Sequence, residues 1–114
     1  MEDLLISTLE TFGYPVLLQG SLLPNEPYPD NFFTFWDYGS DDGSHYDNKT
    51  ATIIYTYGIN FYSNDPARVY DVLRAAIDAL KSAGFIISGD GRSVASDEPT
   101  HDGRGVMANY LKGV

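Results

Sequence analysis

The chain is organised around residues 48–63, which read NKTATIIYTYGINFYS. Every second residue from Ala51 to Phe61 is apolar, whereas the positions between them are mostly polar. This alternation places the two sets on opposite faces of a β-strand, and the β-branched and aromatic residues suit a pleated, half-buried surface. We therefore predict one unusually long strand that pairs with different partners along its two halves.

A helix is predicted directly after this strand. Asp65 is a good N-cap residue and Pro66 fits the first helical turn, while Gly84 provides a stop signal. Between them an apolar stripe repeats at helical spacing, formed by Val69, Val72, Leu73, Ala76, Ile77 and Leu80. We expect this stripe to cover the odd-numbered face of the long strand.

The other elements follow from the same periodicities and from turn residues. A short amphipathic helix is predicted over residues 3–12, with Gly13 as its stop. Strands are predicted over residues 14–19, 31–38, 84–88, 93–96 and 105–111, and loops over 19–30, 39–47 and 97–103. The Asp-Gly pair at residues 90–91 predicts a tight hairpin turn between the strands on either side of it.

The predicted order is α-β-β-β-α-β-β-β in a single domain spanning residues 1–114. Strands joined by tight turns pair antiparallel, and two helices can cover one face of such a sheet. The predicted fold class is therefore α+β, a two-layer sandwich with a mostly antiparallel sheet and both helices packed on one face. The other face of the sheet is expected to be open.

Aromatic residues occupy both faces of the predicted strand over residues 31–38. Two phenylalanines fall on one face, and Phe32, Trp36 and Tyr38 fall on the other. Such a strand either lies between two layers or exposes one face to a partner. Little chain remains to form a second layer, which favours a partner surface; coverage by the proline-containing loop is the alternative.

The charge is strongly acidic and unevenly distributed. The chain has 16 Asp and Glu residues against 7 Lys and Arg, a formal net charge of -9. Residues 1–48 contain nine acids and no Lys or Arg, whereas residues 49–114 contain seven acids and seven bases. A chain with this charge does not bind a nucleic-acid backbone by releasing counterions. The simpler explanation of the acidity is solubility.

Several features limit where the chain can act. It has no cysteine, which excludes a disulfide framework and a thiolate metal site. No apolar run approaches the roughly 18 residues of a membrane helix. The acidic start of the sequence has the wrong charge for a signal peptide. We expect the protein to be made and used inside a cell, without contact with a membrane.

The sequence predicts no enzyme activity, no cofactor and no bound metal. His45 and His101 both lie in acidic loops and match no ligand spacing, so both are expected to be solvated. The glycines around Asp90 lack the third glycine and the following helix of a phosphate loop. Asp41 and Asp42 form a carboxylate pair on a loop with no scaffold around it.

A set of short stretches, taken in order, carries a family resemblance. The stretches are Leu23-Pro24, Tyr28-Pro29, Phe32-Phe33-Thr34-Phe35-Trp36, Tyr46-Asp47-Asn48, Phe61-Tyr62-Ser63-Asn64-Asp65-Pro66, Leu80-Lys81-Ser82-Ala83-Gly84-Phe85 and Asp97-Glu98-Pro99-Thr100-His101-Asp102-Gly103-Arg104-Gly105. In this order the chain resembles the small tail-completion proteins of long, non-contractile-tailed phages and prophages. These proteins are also called tail terminators or tail-to-head joining proteins.

The resemblance implies a two-layer α+β fold, no enzyme activity and assembly into a ring, which is expected to be a hexamer. The ring would lie in the virion at the head–tail interface, with the tail-tube protein and the head connector protein as partners. DNA would pass through it without specific binding. The chain would be made in the cytoplasm of the bacterial host.

Seven residues are candidates for the interface or the lumen of such a ring. They are Phe32, Trp36, Tyr38, Asp41, Asp42, His45 and Asp47. The acids among them are expected to face the lumen or a neighbouring ring, because an anionic wall repels DNA. Two alternatives stay open: an adaptor at the head connector, and an acidic DNA mimic that binds a DNA-handling enzyme.

Overall fold

The computed structural model of the chain describes residues 2–19, 29–46, 49–87, 89, 91–94 and 100–113. Its elements are α1 (Glu2–Glu10), β1 (Val16–Leu18), β2 (Asn31–Tyr46), β3 (Lys49–Ser63), α2 (Pro66–Ser82), β4 (Arg92–Val94) and β5 (Asp102–Gly113). The strands form one sheet in the order β1-β2-β3-β5-β4. The strand β1 runs parallel to β2, and the other neighbouring pairs are antiparallel.

The long strand predicted from the alternation is β3, and it lies at the centre of the sheet. It keeps β2 on one side and β5 on the other over nearly its whole length, so it does not change partners between its halves as we expected. The odd-numbered side chains Tyr57, Ile59 and Phe61 are buried. At roughly 3.3 Å per residue, strands of this length account for the longest dimension of the molecule, 53 Å.

The helix α2 packs on the odd-numbered face of β3, as its apolar stripe predicts. The side chain of Asp65 caps the helix by accepting a hydrogen bond from the backbone N–H of Ala67, and Pro66 begins the first turn. One buried cluster joins both helices to the sheet. Its members are Leu5, Leu9, Phe33, Phe35, Tyr57, Ile59, Phe61, Leu73, Ala76, Ile77, Leu80, Phe85, Ile87, Val106 and Ala108.

The predicted α+β class is confirmed, because α1 and α2 contribute to the same cluster on one face of the sheet. The helix α1 supplies Leu5 and Leu9, and the chain leaves it through Gly13 at a φ of +81°, a conformation that favours glycine. Neither of the helices in the described part of the chain has the length and apolar character needed to cross a bilayer.

The prediction of a loop over residues 39–47 is wrong for most of that range. The strand β2 continues to Tyr46, which pairs with Lys49, while Asp47 lies outside the described residues. Backbone N–H and C=O groups hold the ladder, so a polar, Gly-rich sequence does not prevent it. The register shifts at Tyr38, where an extra residue is accommodated in β2.

The predicted hairpin between residues 84–88 and 93–96 is also wrong. Ile86 forms an isolated bridge with Asn109 of β5, and β4 pairs with an earlier part of β5. The two stretches therefore follow one another along the same edge of β5. The 12-residue length of β5 offers backbone partners to both, which outweighs the local Asp-Gly turn preference. The loop predicted over residues 19–30 lies mostly outside the described residues. The loop predicted over residues 97–103 is wrong at its end, because β5 already begins at Asp102, while residues 97–99 lie outside the described residues.

We predict that Leu73→Ala lowers the free energy of unfolding by about 2–5 kcal/mol, because it leaves a cavity in the core where Leu73 is 1% exposed. Leu18→Ala is the matched control, since Leu18 is 53% exposed, and should cost roughly 0.5 kcal/mol or less. Urea unfolding followed by circular dichroism measures both. Equal losses for the two variants would contradict the position of the core.

Candidate functional site

Three cross-strand pairs shape the far face, which is the face of the sheet turned away from the helices. Each pair joins a large side chain to a glycine: Trp36 to Gly58, Asn60 to Gly105 and Tyr62 to Gly103. A Cβ atom on any of these glycines would collide with the side chain opposite, which therefore lies over the glycine backbone. The far face is consequently low at these glycines.

The chain itself covers the proximal part of the far face, near the start of β2. Phe32 is 1% exposed, and its ring stacks on Tyr62 with 5.2 Å between centroids and 25° between planes. The ring of His101 contacts Phe32 edge-on at 6.1 Å, and the Asn60 amide donates a hydrogen bond to the Tyr62 hydroxyl at 3.0 Å. The expectation of an open far face is therefore wrong for this part.

His101 is buried, which corrects the expectation of a solvated loop histidine. Its Nε2 lies 2.8 Å from the carbonyl oxygen of Pro29. Because a carbonyl can only accept, Nε2 carries a proton, and in the neutral ring Nδ1 accepts from the Thr100 hydroxyl at 3.0 Å. These contacts join the segment before β2 to the start of β5. The acidic neighbours in the sequence gave no indication of this packing.

The distal part of the far face remains accessible. A groove of about 420 Å³ crosses it from Trp36 on β2 to Arg92 on β4, with Met107 of β5 between them. Ile86 and Leu111, which the strand register places on the same face, are about half exposed. Aromatic, Met and Arg side chains are the types enriched where proteins bind one another. The distal far face therefore has the composition of a contact surface.

The two sides of the sheet differ in charge. Residues 1–48, which lack Lys and Arg, include α1, β1 and β2; we call this side the acid edge. The seven basic residues all lie in residues 49–114. Residues 84–114, which include β4 and β5, hold three bases (Arg92, Arg104 and Lys112) and four acids (Asp90, Asp97, Glu98 and Asp102). One side of the sheet is therefore built from strongly acidic segments, and the other from a segment whose charges nearly cancel.

The pKa of the buried Tyr57 hydroxyl is affected by carboxylates of the acid edge. Burial raises the pKa of its hydroxyl above the ordinary value of 10.0, and the carboxylates of Asp37 and Glu2 raise it further. Asp37 is the cross-strand partner of Tyr57 on β2. The raised pKa keeps this buried hydroxyl neutral in the folded chain at pH values where an exposed tyrosine ionises.

The seven residues predicted for an interface or lumen are not all on one surface. Phe32 is buried within the chain, so it is not on a free surface of the subunit. Trp36 lines one end of the groove, and Tyr38 is 69% exposed where the register shifts. The backbone of Asp41, Asp42 and His45 lies in β2, while their side chains and all of Asp47 lie outside the described residues.

Sequence reasoning missed several residues that shape this surface. The glycines at positions 58 and 105 did carry a signal, since glycine inside a strand indicates a close approach by another group. Gly103 carried no such signal, because the sequence predicted a loop at that position. Ile86 and Arg92 carried no signal in the sequence. Their positions depend on which strand the segment around β4 pairs with, and that strand is β5. In the described part of the chain, no group of three His, Asp or Glu residues is placed to hold a metal ion.

Fold and surface together define a class of protein: a two-layer α+β domain with one partly apolar sheet face that holds a groove. Comparison with known proteins adds no narrower class. No protein-family model matches the chain, and no curated protein matches it either.

We predict that Gly58→Ala displaces the Trp36 ring and costs about 1–3 kcal/mol, because a methyl group then overlaps the indole. Trp36 is the only tryptophan, so a shift of its fluorescence emission reports the displacement. In a Trp36→Leu background the same substitution should cost less, since the overlapping ring atoms are gone. An equal cost in both backgrounds would mean that Trp36 does not lie over Gly58.

The raised pKa of Tyr57 predicts a pH dependence of stability. Both folded and unfolded chains keep this hydroxyl neutral below pH 10.0, and above it the unfolded chain ionises first. Stability is therefore lost as the pH rises through the folded pKa, and Tyr57→Phe should lessen that loss. Unfolding measured across this range tests it, with Tyr70→Phe, which removes an exposed hydroxyl, as the control. A loss as steep in Tyr57→Phe as in the unsubstituted chain contradicts the assignment.

Proposed function

We propose that this chain is a structural virion subunit of a long-tailed phage or prophage, a tail-completion protein that forms a ring at the head–tail interface. The observation that carries the proposal is the accessible groove on the distal far face, bordered by half-exposed Ile86 and Leu111. The core is filled by the helix-facing cluster without these residues. They are therefore available for contacts with other subunits.

The order of the resembling stretches supports the placement of the ring at the end of a tail. In such a position the subunit contacts its own copies, the tail-tube protein and the head connector protein. A grooved and partly apolar sheet face suits these contacts, because it can receive a side chain of a neighbouring protein. The fold, with both helices on the opposite face, leaves that surface unobstructed by α1 and α2.

The acidity also supports this function. A ring through which DNA passes needs a wall to which DNA does not adhere, and a net charge of -9 per subunit supplies like-charge repulsion. An acidic DNA mimic is less well supported, because the described residues that line the accessible groove include an exposed arginine, amide and apolar side chains, and no carboxylate.

The experiment is electron microscopy of particles made by a phage genome that lacks this gene. We expect separate filled heads and unjoined tails, because the ring that completes the tail is missing. Supplying the unsubstituted chain from a plasmid should restore joined particles. Trp36→Ala should restore them poorly, whereas Lys81→Ala, on the exposed surface of α2, should restore them fully. Joined, infectious particles in the absence of the gene would contradict the proposed function.

A further inference from the structure

We propose that the groove on the distal far face binds an extended segment of a different protein, in which an acidic and an apolar or aromatic residue lie two positions apart. The acidic side chain pairs with Arg92, and the apolar side chain packs against Trp36 and Met107. This inference rests on the proposed function only in placing that segment in a protein that the ring contacts.

The strand register arranges the far face in rows that cross the sheet, and one of these rows is apolar. Trp36 of β2 pairs with Gly58 of β3, which pairs in turn with Met107 of β5. The indole lies over Gly58, and both Trp36 and Met107 are partly exposed where they line the groove. This row therefore presents apolar surface to a ligand.

The next row is polar. Asn60 of β3 pairs with Gly105 of β5, which pairs in turn with Arg92 of β4. Asn60 is 6% exposed, and its carbonyl oxygen Oδ1 lies over the backbone of Gly105. All three residues line the groove, so a hydrogen-bond acceptor and a guanidinium lie on either side of a position that has no side chain.

The spacing of the two rows matches that of an extended peptide. Gly105 and Met107 are two positions apart on β5, which is roughly 6.6–6.8 Å along a strand. Alternate side chains of an extended peptide have the same separation, because the rise per residue is the same. A peptide lying over β5 can therefore direct one side chain to Arg92 and the next side chain but one to the apolar row.

Charge favours an acidic residue in that segment. Arg92 is exposed, and it is the only charged residue among the described residues that line the groove. Arg104, which lies nearby on β5, is engaged by its own chain: its Nη2 donates to the Gly91 carbonyl at 3.0 Å, and its guanidinium lies 5.1 Å from the centre of the Tyr70 ring. Arginine and tryptophan side chains in a depression are frequent centres of binding energy.

The amide side chains in the groove favour a peptide over a phosphate. The Nδ2 of Asn60 donates to the Tyr62 hydroxyl at 3.0 Å, and its Oδ1 is an acceptor. The Oδ1 of Asn109 accepts from the Thr56 hydroxyl at 2.8 Å, and its Nδ2 is a donor. A peptide backbone supplies an N–H to the first amide and a C=O to the second. Phosphate oxygens beside Arg92 would meet the Asn60 Oδ1, and the net charge of -9 also disfavours a polyanion.

A second copy of the chain offers no such segment among its described residues. Its acidic residues there lie in helices, in paired strands or directly before one of these elements. Their backbone is already held by the fold, so it cannot lie extended in the groove of another copy. Contacts between copies have Ile86 and Leu111 at the border of the groove available to them, which leaves the groove itself for a different protein.

A peptide array tests the specificity of the groove. Capped heptapeptides GSXVZSG, in which X and Z are every amino acid except cysteine and tryptophan, are probed with the fluorescently labelled chain. We expect binding where one of the two positions is acidic and the other is aromatic or large and apolar. Arg92→Gln should remove the preference for an acid, whereas Lys81→Gln, an equal charge change on α2, should preserve it.

Titration of the chain with single peptides measures the charge contribution. Trp36 is the only tryptophan, so its emission reports occupation of the groove. The better-binding order, GSEVFSG or GSFVESG, should bind about tenfold or more tightly than its glutamine counterpart, because a charge-assisted contact is lost. This difference should fall below about twofold in Arg92→Gln and persist in Lys81→Gln, with circular dichroism confirming that both variants are folded.

Absence of peptide binding, or equal binding of the glutamate and glutamine peptides, would overturn the inference. Displacement of the peptide by inorganic phosphate beyond the effect of chloride at equal ionic strength would also overturn it, since the groove would then be a phosphate site. Peptide binding that is lost as the chain concentration is raised would assign the groove to a second copy and overturn it as well.

Failure here is distinguishable from failure of the proposed function. If no peptide binds while particles without the gene stay unjoined, the assigned ligand is wrong. If the acidic peptides bind while those particles are joined, the assigned role is wrong.

Discussion

Large side chains packed over glycine backbone on the far face are the contacts on which the rest of the structure depends. The two faces of the central strand β3 pack differently. Its odd-numbered residues build the core under α2, while Gly58 and Asn60 take part in the pairs that keep the other face low. If large apolar side chains projected from the far face, a third layer would be needed to bury them, as in sheets that are covered on both faces. The glycine pairs instead keep this face low, and the accessible groove lies beside them.

The topology of the sheet gives the charge pattern its physical meaning. The first two strands lie together on one side of β3, and the last two lie together on the other. An acidic first half of the sequence therefore becomes an acidic side of the molecule, not a diffuse negative surface. Exposed apolar side chains accompany the charges on both sides, Leu18 and Tyr38 on one and Ile86 and Leu111 on the other. These side chains are apolar area that a contact with a second protein would bury.

Elements that depend on a few neighbouring residues were predicted correctly from the sequence. Elements that depend on pairing between segments distant in the chain were not. Alternation defined β3, and the Asp65 cap defined the start of α2, because both signals are contained within a few residues. The extension of β2 to Tyr46 depends on the backbone of β3, so a sequence rich in Asp, Gly and Ser concealed it. Burial of His101 depends on Phe32 and Pro29, which are distant in sequence. Of the distal surface, Trp36 and Tyr38 were predicted, whereas the groove depends on where β4 pairs.

The central claim of the proposal is that the far face around the accessible groove, and not the outer face of α2, is where other proteins bind. Since the chain has no cysteine, Ile86→Cys and Lys81→Cys introduce unique sites for a maleimide photo-cross-linker on the far face and on α2. At high protein concentration Ile86→Cys should give covalent oligomers, whereas Lys81→Cys should give monomer alone. Equal cross-linking at the two positions, or cross-linking at Lys81→Cys alone, would contradict the claim.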